Sequence, residues 1–178
     1  MTGSVIVLTG PPGVGKSATA RLVADRLHPS VRLPADEFWH FIQRGAIPPY
    51  EPESAEQNRV VIGVLAACAF GYAAGGYQVV VDGVVGPWFL ERFRSAPERG
   101  ELPLHYVVLR ADRETTMARA AARGAAGLAD PEPLSAMYRQ FADLGEFEGN
   151  VVDTTHLTAD QVAETVLGAI GGERHRLS

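Results

Sequence analysis

Val5-Ile6-Val7-Leu8-Thr9-Gly10-Pro11-Pro12-Gly13-Val14-Gly15-Lys16-Ser17 is the stretch that decides the fold. Residues 5–8 are apolar throughout, as in a short strand buried on both faces of a parallel sheet. Residues 10–17 then fit the pattern G-x-x-x-x-G-K-[ST] in full, and from Lys16 the apolar positions Ala20, Val23, Ala24 and Leu27 follow helical spacing. Strand, glycine-rich turn and helix in that order form a phosphate-binding loop, because backbone amides and a helix N-terminus converge on an anion there. Pro11 and Pro12 have no N–H, so the cradle of donors starts at Gly13. Phosphate contacts are expected from Gly10, Gly13, Val14, Gly15, Lys16, Ser17 and Ala18, with Lys16 as a point charge on the β- and γ-phosphates and Ser17 suited to Mg²⁺.

Outward from this loop, strands and helices alternate. Residues 31–34, 78–81, 104–109 and 151–152 read as strands. Residues 36–44, 54–74, 89–94, 113–123, 134–144 and 159–170 read as helices. Residues 46–52, with three prolines, must be a loop. Alternation of this kind implies an α/β domain, a parallel sheet with helices on both faces; five strands in the order 2-3-1-4-5 are expected. Residues 1–170 are expected to form one domain, and residues 171–178 a disordered tail.

Of 16 basic residues, all but Lys16 are arginine, against 21 acidic ones, for a net charge of −5. A guanine-reading NKxD element needs a second lysine, so a GTPase of the usual kind is excluded. Polybasic membrane anchors are absent, and an acidic chain without clustered cations is a poor nucleic-acid binder. The single cysteine, Cys68, leaves no intrachain disulfide and reads as an inert core thiol. No secretory signal is expected at the N-terminus, and the apolar stretch 60–74 is short for a bilayer span and reads as a core helix. The cytoplasm is the expected location, and a monomer or homodimer the expected state.

In open parallel sheets, ligands sit beyond the carboxyl ends of the strands. Asp36 follows strand two and is the candidate general base, although Asp also suits a helix cap there. Asp82 ends strand three and is a candidate Mg²⁺ ligand, direct or through water. The residue after it is Gly83, not the water-activating Glu of motor ATPases, which favours phosphate transfer over hydrolysis. Glu37, Trp39, His40, Tyr50, Arg59, Gly83 and Trp88 are candidates for the acceptor side. Arg119 and Arg123, four apart beside a Gly/Ala/Pro-rich segment, are candidate catalytic cations in a lid at about 119–133.

These residues resemble those of the small P-loop kinases of the shikimate and gluconate kinase type, and look most like the chloramphenicol phosphotransferase-like group. The resemblance rests on residues 10–17, on Leu33-Pro34-Ala35-Asp36, on Val80-Val81-Asp82, on Arg119-Ala120-Ala121-Ala122-Arg123-Gly124 and on Val152-Asp153-Thr154-Thr155-His156. It implies Asp36 as base, Arg119 and Arg123 in the lid, and Thr154 and Thr155 near the adenine of ATP. Ala125, Ala126 and Gly127 stand where the group tends to carry an acid and a further arginine. The acceptor-side segments do not match the antibiotic enzyme, so chloramphenicol is not supported as acceptor. The expected activity is transfer of the γ-phosphate of ATP, with Mg²⁺, to a hydroxyl of a small molecule. A nucleoside or nucleotide kinase, or a nucleotide-binding regulatory or toxin-like module, remain the alternatives.

Overall fold

β1 (Ser4–Thr9) is buried along its whole length, with neighbours on both edges. The computed structural model that shows this describes residues 3–122, 131–172 and 175–177. β2 (Ser30–Pro34) and β3 (Gln78–Asp82) lie to one side of β1, and β4 (Leu104–Arg110) and β5 (Val151–Asp153) to the other. All run parallel in the expected order β2-β3-β1-β4-β5.

The two-residue period of the strands divides the core in two. Val5, Val7, Val79, Val81, Leu104, Tyr106 and Val108 face one side, where α3 (Ala55–Ala74) and α4 (Leu90–Arg94) cover them. Ile6, Leu8, Val80, Val107 and Leu109 face the other, under α1 (Lys16–Asp25) and α7 (Ala159–Ile170). α3 is long and apolar enough to cross a membrane by length and composition alone. Here its Ile62, Leu65, Ala66, Ala69, Phe70 and Ala73 pack into the core, in keeping with a core helix. Cys68 on that helix is half-buried, and burial pushes its thiol up, away from the reactive thiolate. α2 (Ala35–His40) follows β2 and is shorter than the 36–44 the sequence implies. α5 (Arg113–Ala122) and α6 (Pro131–Gln140) flank the segment expected to be the lid. Arg123 and most of that segment lie outside the described residues.

The tail differs from expectation. β5 pairs only with Val108, Leu109 and Arg110, which leaves the first half of the same β4 edge uncovered. β6 (Arg176–Leu177) fills it, running antiparallel against Leu104 and His105. The Tyr106 amide donates to the His175 carbonyl at 2.8 Å, and Arg99 Nη2 donates to the Leu177 carbonyl at 3.0 Å. Leu177 joins the core under α3. An uncovered strand edge is a row of unsatisfied donors and acceptors, and this is why a segment that reads as a polar tail is captured.

Removing residues 173–178 should therefore destabilise the domain. Burial of Leu177 contributes about 1.5–3 kcal/mol, and each lost ladder bond about 1 kcal/mol more. Urea denaturation of the truncated chain should show a clearly lower midpoint. An unchanged midpoint would mean that β6 does not contribute to stability.

Candidate active site

The phosphate loop leaves β1 through Gly10, which has φ 142°; a Cβ there would stand 2.1 Å from the Leu109 carbonyl oxygen. Gly13 is held as closely, its missing Cβ 2.4 Å from the Thr116 carbonyl oxygen. The loop is thus pressed against β4 and α5, and only glycine fits at these two contacts. Gly15 also has positive φ, but the space where its Cβ would be is open. α1 begins directly after it with no side-chain cap and no acid in its first turn. The first helical bond is from the Thr19 amide to the Gly15 carbonyl. The amides of Lys16, Ser17 and Ala18 therefore precede the intrahelical ladder and point out of the helix end. Lys16 Nζ curls back to donate to the carbonyls of Gly10 and Pro11 at 2.8 and 2.9 Å. The Ser17 side chain is exposed. An anion finds the positive end of a helix, an ammonium group and an open glycine face here.

Two carboxylates stand at the ends of adjacent strands, in different environments. Asp36 does not cap α2: the helix starts at Ala35, Pro34 occupies the cap position, and no side chain closes it. Its carboxylate has no hydrogen-bond or ion-pair partner among the described residues. The residue is exposed, but the atoms packed around its carboxylate deprive it of part of its hydration. That desolvation raises its pKa above the ordinary 3.8, Lys16 pulls it back, and Asp82 adds a smaller upward push. Gly83 sets this arrangement. A Cβ on Gly83 would meet the Ala35 Cβ at 2.4 Å, so β3 and the start of α2 touch, and Asp36 is carried up beside Asp82. Gly83, expected on the acceptor side, has its face filled by Ala35. The loop beyond is pinned as well. The Val85 amide donates to Thr9 Oγ1 at 2.9 Å, and the Val85 carbonyl accepts from the Tyr106 hydroxyl at 3.0 Å.

Asp82 is 3 % exposed and fully engaged. Arg32 Nε donates to Oδ1 at 2.9 Å and Nη2 to Oδ2 at 3.3 Å. Asp82, expected as an Mg²⁺ ligand directly or through water, thus has both of its oxygens paired with one guanidinium here. Sequence reasoning passed over Arg32, although a charged residue inside the strand Val31-Arg32-Leu33-Pro34 was a visible signal, since charges are rarely buried unpaired. Among the described residues, no three His, Cys, Asp or Glu side chains are grouped to hold a metal.

Arg119 on α5 reaches the loop after β5. Its Nη1 and Nη2 donate to the carbonyls of Thr154 and Thr155, both at 3.3 Å. Three of the expected nucleotide contacts are thereby brought together, but Arg119 is turned towards the loop after β5 rather than held over the phosphate loop. Thr155 Oγ1 donates to Asp153 at 2.7 Å and accepts from the Asp112 amide at 3.0 Å. Arg110 forms a two-pronged pair with Glu148 and holds the end of α6 by the carbonyls of Phe141 and Ala142. That pair, with the Leu144 amide, holds Glu148 down to about 2.

On the acceptor side, several expected contacts are spent on structure. Trp39 Nε1 donates to Asn58 at 2.8 Å, and Asn58 in turn holds the Pro49 carbonyl and Ser54. Gln57 grips both the amide and the carbonyl of Ile47. Arg59 pairs with Glu56 at 3.0 Å, and Glu37 lies 3.7 Å from His40. Tyr50 and Trp88 are 60 % and 49 % exposed, as is neighbouring Phe41 at 68 %. The Trp88 indole lies where a Cβ on Gly86 would be and meets Phe141 edge-on.

The profile of the AAA domain family matches residues 6–130, which include the phosphate loop, both carboxylates and Arg119. The chain belongs to the AAA domain family. No curated protein matches it in sequence. Solved structures share its fold across nearly its whole length. An unliganded sugar kinase from Janibacter sp. HTCC2649 is 19 % identical over 95 % of both chains, with a TM-score of 0.72. The tunicamycin resistance protein of Deinococcus radiodurans is 20 % identical over 95 % of this chain and 96 % of its own, with a TM-score of 0.71. The shikimate kinase of Acinetobacter baumannii, in complex with shikimate, is 19 % identical over 95 % and 93 %, with a TM-score of 0.64. This AAA domain therefore has the α/β fold of the small P-loop kinases.

In this AAA domain the Gly83–Ala35 contact brings the residue after β3 against the start of α2, which carries Asp36. Gly83→Ala should overpack it at a cost of about 1–3 kcal/mol, measured by urea denaturation. A midpoint equal to that of the wild type would show that α2 yields without cost and that the contact does not set its place.

Proposed function

We propose that the protein is a small-molecule kinase that transfers the γ-phosphoryl group of ATP to a hydroxyl group. The observation that carries this reading is the pairing of a complete phosphate loop with a desolvated, partnerless carboxylate, Asp36, within electrostatic reach of Lys16. The open face of Gly15 and the outward amides of Lys16, Ser17 and Ala18 suit the polyphosphate. Thr154, Thr155 and Arg119 suit the base side of the nucleotide. Mg²⁺, when bound with ATP, neutralises phosphate charge, and the exposed Ser17 hydroxyl fits a place in its coordination shell.

In the proposed reaction the acceptor hydroxyl sits between Asp36 and the γ-phosphorus. Asp36 takes its proton as the oxygen attacks in line. The new P–O bond forms while the bond to the β-phosphate oxygen breaks, and ADP leaves with the electron pair. Lys16 stabilises the charge that builds on the β/γ bridge. Arg123 and the segment that follows are proposed as the lid that excludes water, and they lie outside the described residues. The solved kinases of this fold act, by their names, on a sugar or on shikimate. Exposed Phe41, Tyr50 and Trp88, with Arg59 already paired to Glu56, favour a neutral acceptor with an apolar face here.

ADP release across a panel of sugars, alcohols, nucleosides and antibiotics tests the activity. ADP that appears equally with and without every acceptor would refute transfer. Asp36→Asn should keep ATP binding and lose transfer by at least about 100-fold; undiminished turnover would remove Asp36 as base. Because the carboxylate must be ionised to accept a proton, kcat/KM should fall as pH drops through its raised pKa. The acid limb should lie above the ordinary carboxylate value of 3.8, where Asp36→Asn has none. Lys16→Arg should fold yet lose activity, since a broad planar guanidinium fits poorly in a loop that closes around an ammonium.

A further inference from the structure

Arg32 and Asp82 form a two-pronged ion pair between β2 and β3, near the phosphate end of the sheet. β2 and β3 are in parallel register, with Arg32 opposite Val80 and Pro34 opposite Asp82. The two side chains therefore rise on the same face of the sheet, and Arg32 leans forward along its strand to reach the carboxylate. Asp82 is 3 % exposed, whereas the Arg32 side chain is 26 % exposed. The guanidinium thus covers the carboxylate from the open side. Its planar fork meets one oxygen with Nε and the other with Nη2, the geometry in which Arg holds a carboxylate most firmly.

A divalent ion would have to displace that fork and then sit beside it. Mg²⁺ takes near-ideal octahedral geometry and parts with its waters reluctantly, so it does not compete easily for a carboxylate already bound on both oxygens. Ser17 has no such competitor: its side chain is exposed at the start of α1, on the loop itself. We infer that Arg32 is the resident cation of Asp82, and that a divalent ion arriving with nucleotide is held from the protein side by Ser17 and not by Asp82. Asp82 is then a strut. It ties the end of β2, which carries Asp36, to the end of β3, which carries Gly83, and Arg32 is a positioning residue for the site. This rests on the reading of the loop as a nucleotide site.

The test uses the full chain with AMPPNP, a non-hydrolysable ATP analogue, and Mn²⁺ as the metal. Calorimetry in EDTA gives nucleotide affinity, and electron paramagnetic resonance gives the Mn²⁺ affinity of the nucleotide complex. Asp82→Asn should leave Mn²⁺ affinity within about 3-fold, where loss of a metal-site residue costs about 10–100-fold. Ser17→Ala should weaken it by about 10-fold or more. Arg32→Leu should uncover the carboxylate and tighten Mn²⁺ binding several-fold, a change that a purely structural role would not produce. Arg32→Lys, which keeps the charge, should stay near the wild type; with Asp82→Asn it carries the test if Arg32→Leu does not fold. AMPPNP binding with a loss of about 10-fold or more in Mn²⁺ affinity for Asp82→Asn would overturn this inference alone. No AMPPNP binding by the wild type would overturn the nucleotide reading and this inference with it.

Discussion

The absence of a side chain at Gly10 is the constraint on which the rest of the site depends. β1 is central and buried on both faces, so the chain can leave it only over the end of the sheet, and there it passes the Leu109 carbonyl with no room for a Cβ. Gly13 repeats the condition against α5. These two contacts press the loop down onto β4 and α5. Gly15 is left with an open face, and α1 starts from it with its first amides outward. The anion site follows from backbone geometry before any side chain contributes. Lys16 then adds charge to a concave surface that already exists.

Around that loop, two aspartates with the same chemistry acquire different properties. Asp82 meets a guanidinium on both oxygens and is closed to solvent. Asp36 has no such partner, and the loss of water around it raises its pKa. One carboxylate is thereby tied into the framework, and the other is left without a partner at the end of the neighbouring strand. The Gly83–Ala35 contact keeps the two at a set relation, and the Thr9–Val85–Tyr106 bonds hold the loop beyond Gly83 to β1 and β4. The site is therefore braced by the strand ends that carry it.

Legibility in the sequence followed range. The phosphate loop, β1 and α1 are contiguous, and their pattern, turn chemistry and helix start all agree within fourteen or so residues. That the strands form one parallel sheet followed from the alternation of elements, because parallel neighbours need a crossover connection. Apart from the end of α2, the failures were at long range. The end of the chain reads as polar and weakly patterned, and nothing near it in sequence shows that β5 stops short and leaves half an edge of β4 to be filled. Trp39 looks like a binding residue by type, yet it finds a structural partner on another element. Arg119 reads as a lid cation because of Arg123 four positions on; its partners, Thr154 and Thr155, come from the far end of the domain.

Sequence alone determined the chemistry of the loop and the class of the fold, because both depend on local backbone preference and on the alternation of apolar runs. Which carboxylate is paired and which is left open to solvent was decided only in three dimensions. Arg32 and Asp82 are 50 positions apart, and no local rule joins them. They meet because β2 lies beside β3 in one particular register, and a shift of a single residue would turn Arg32 to the opposite face of the sheet.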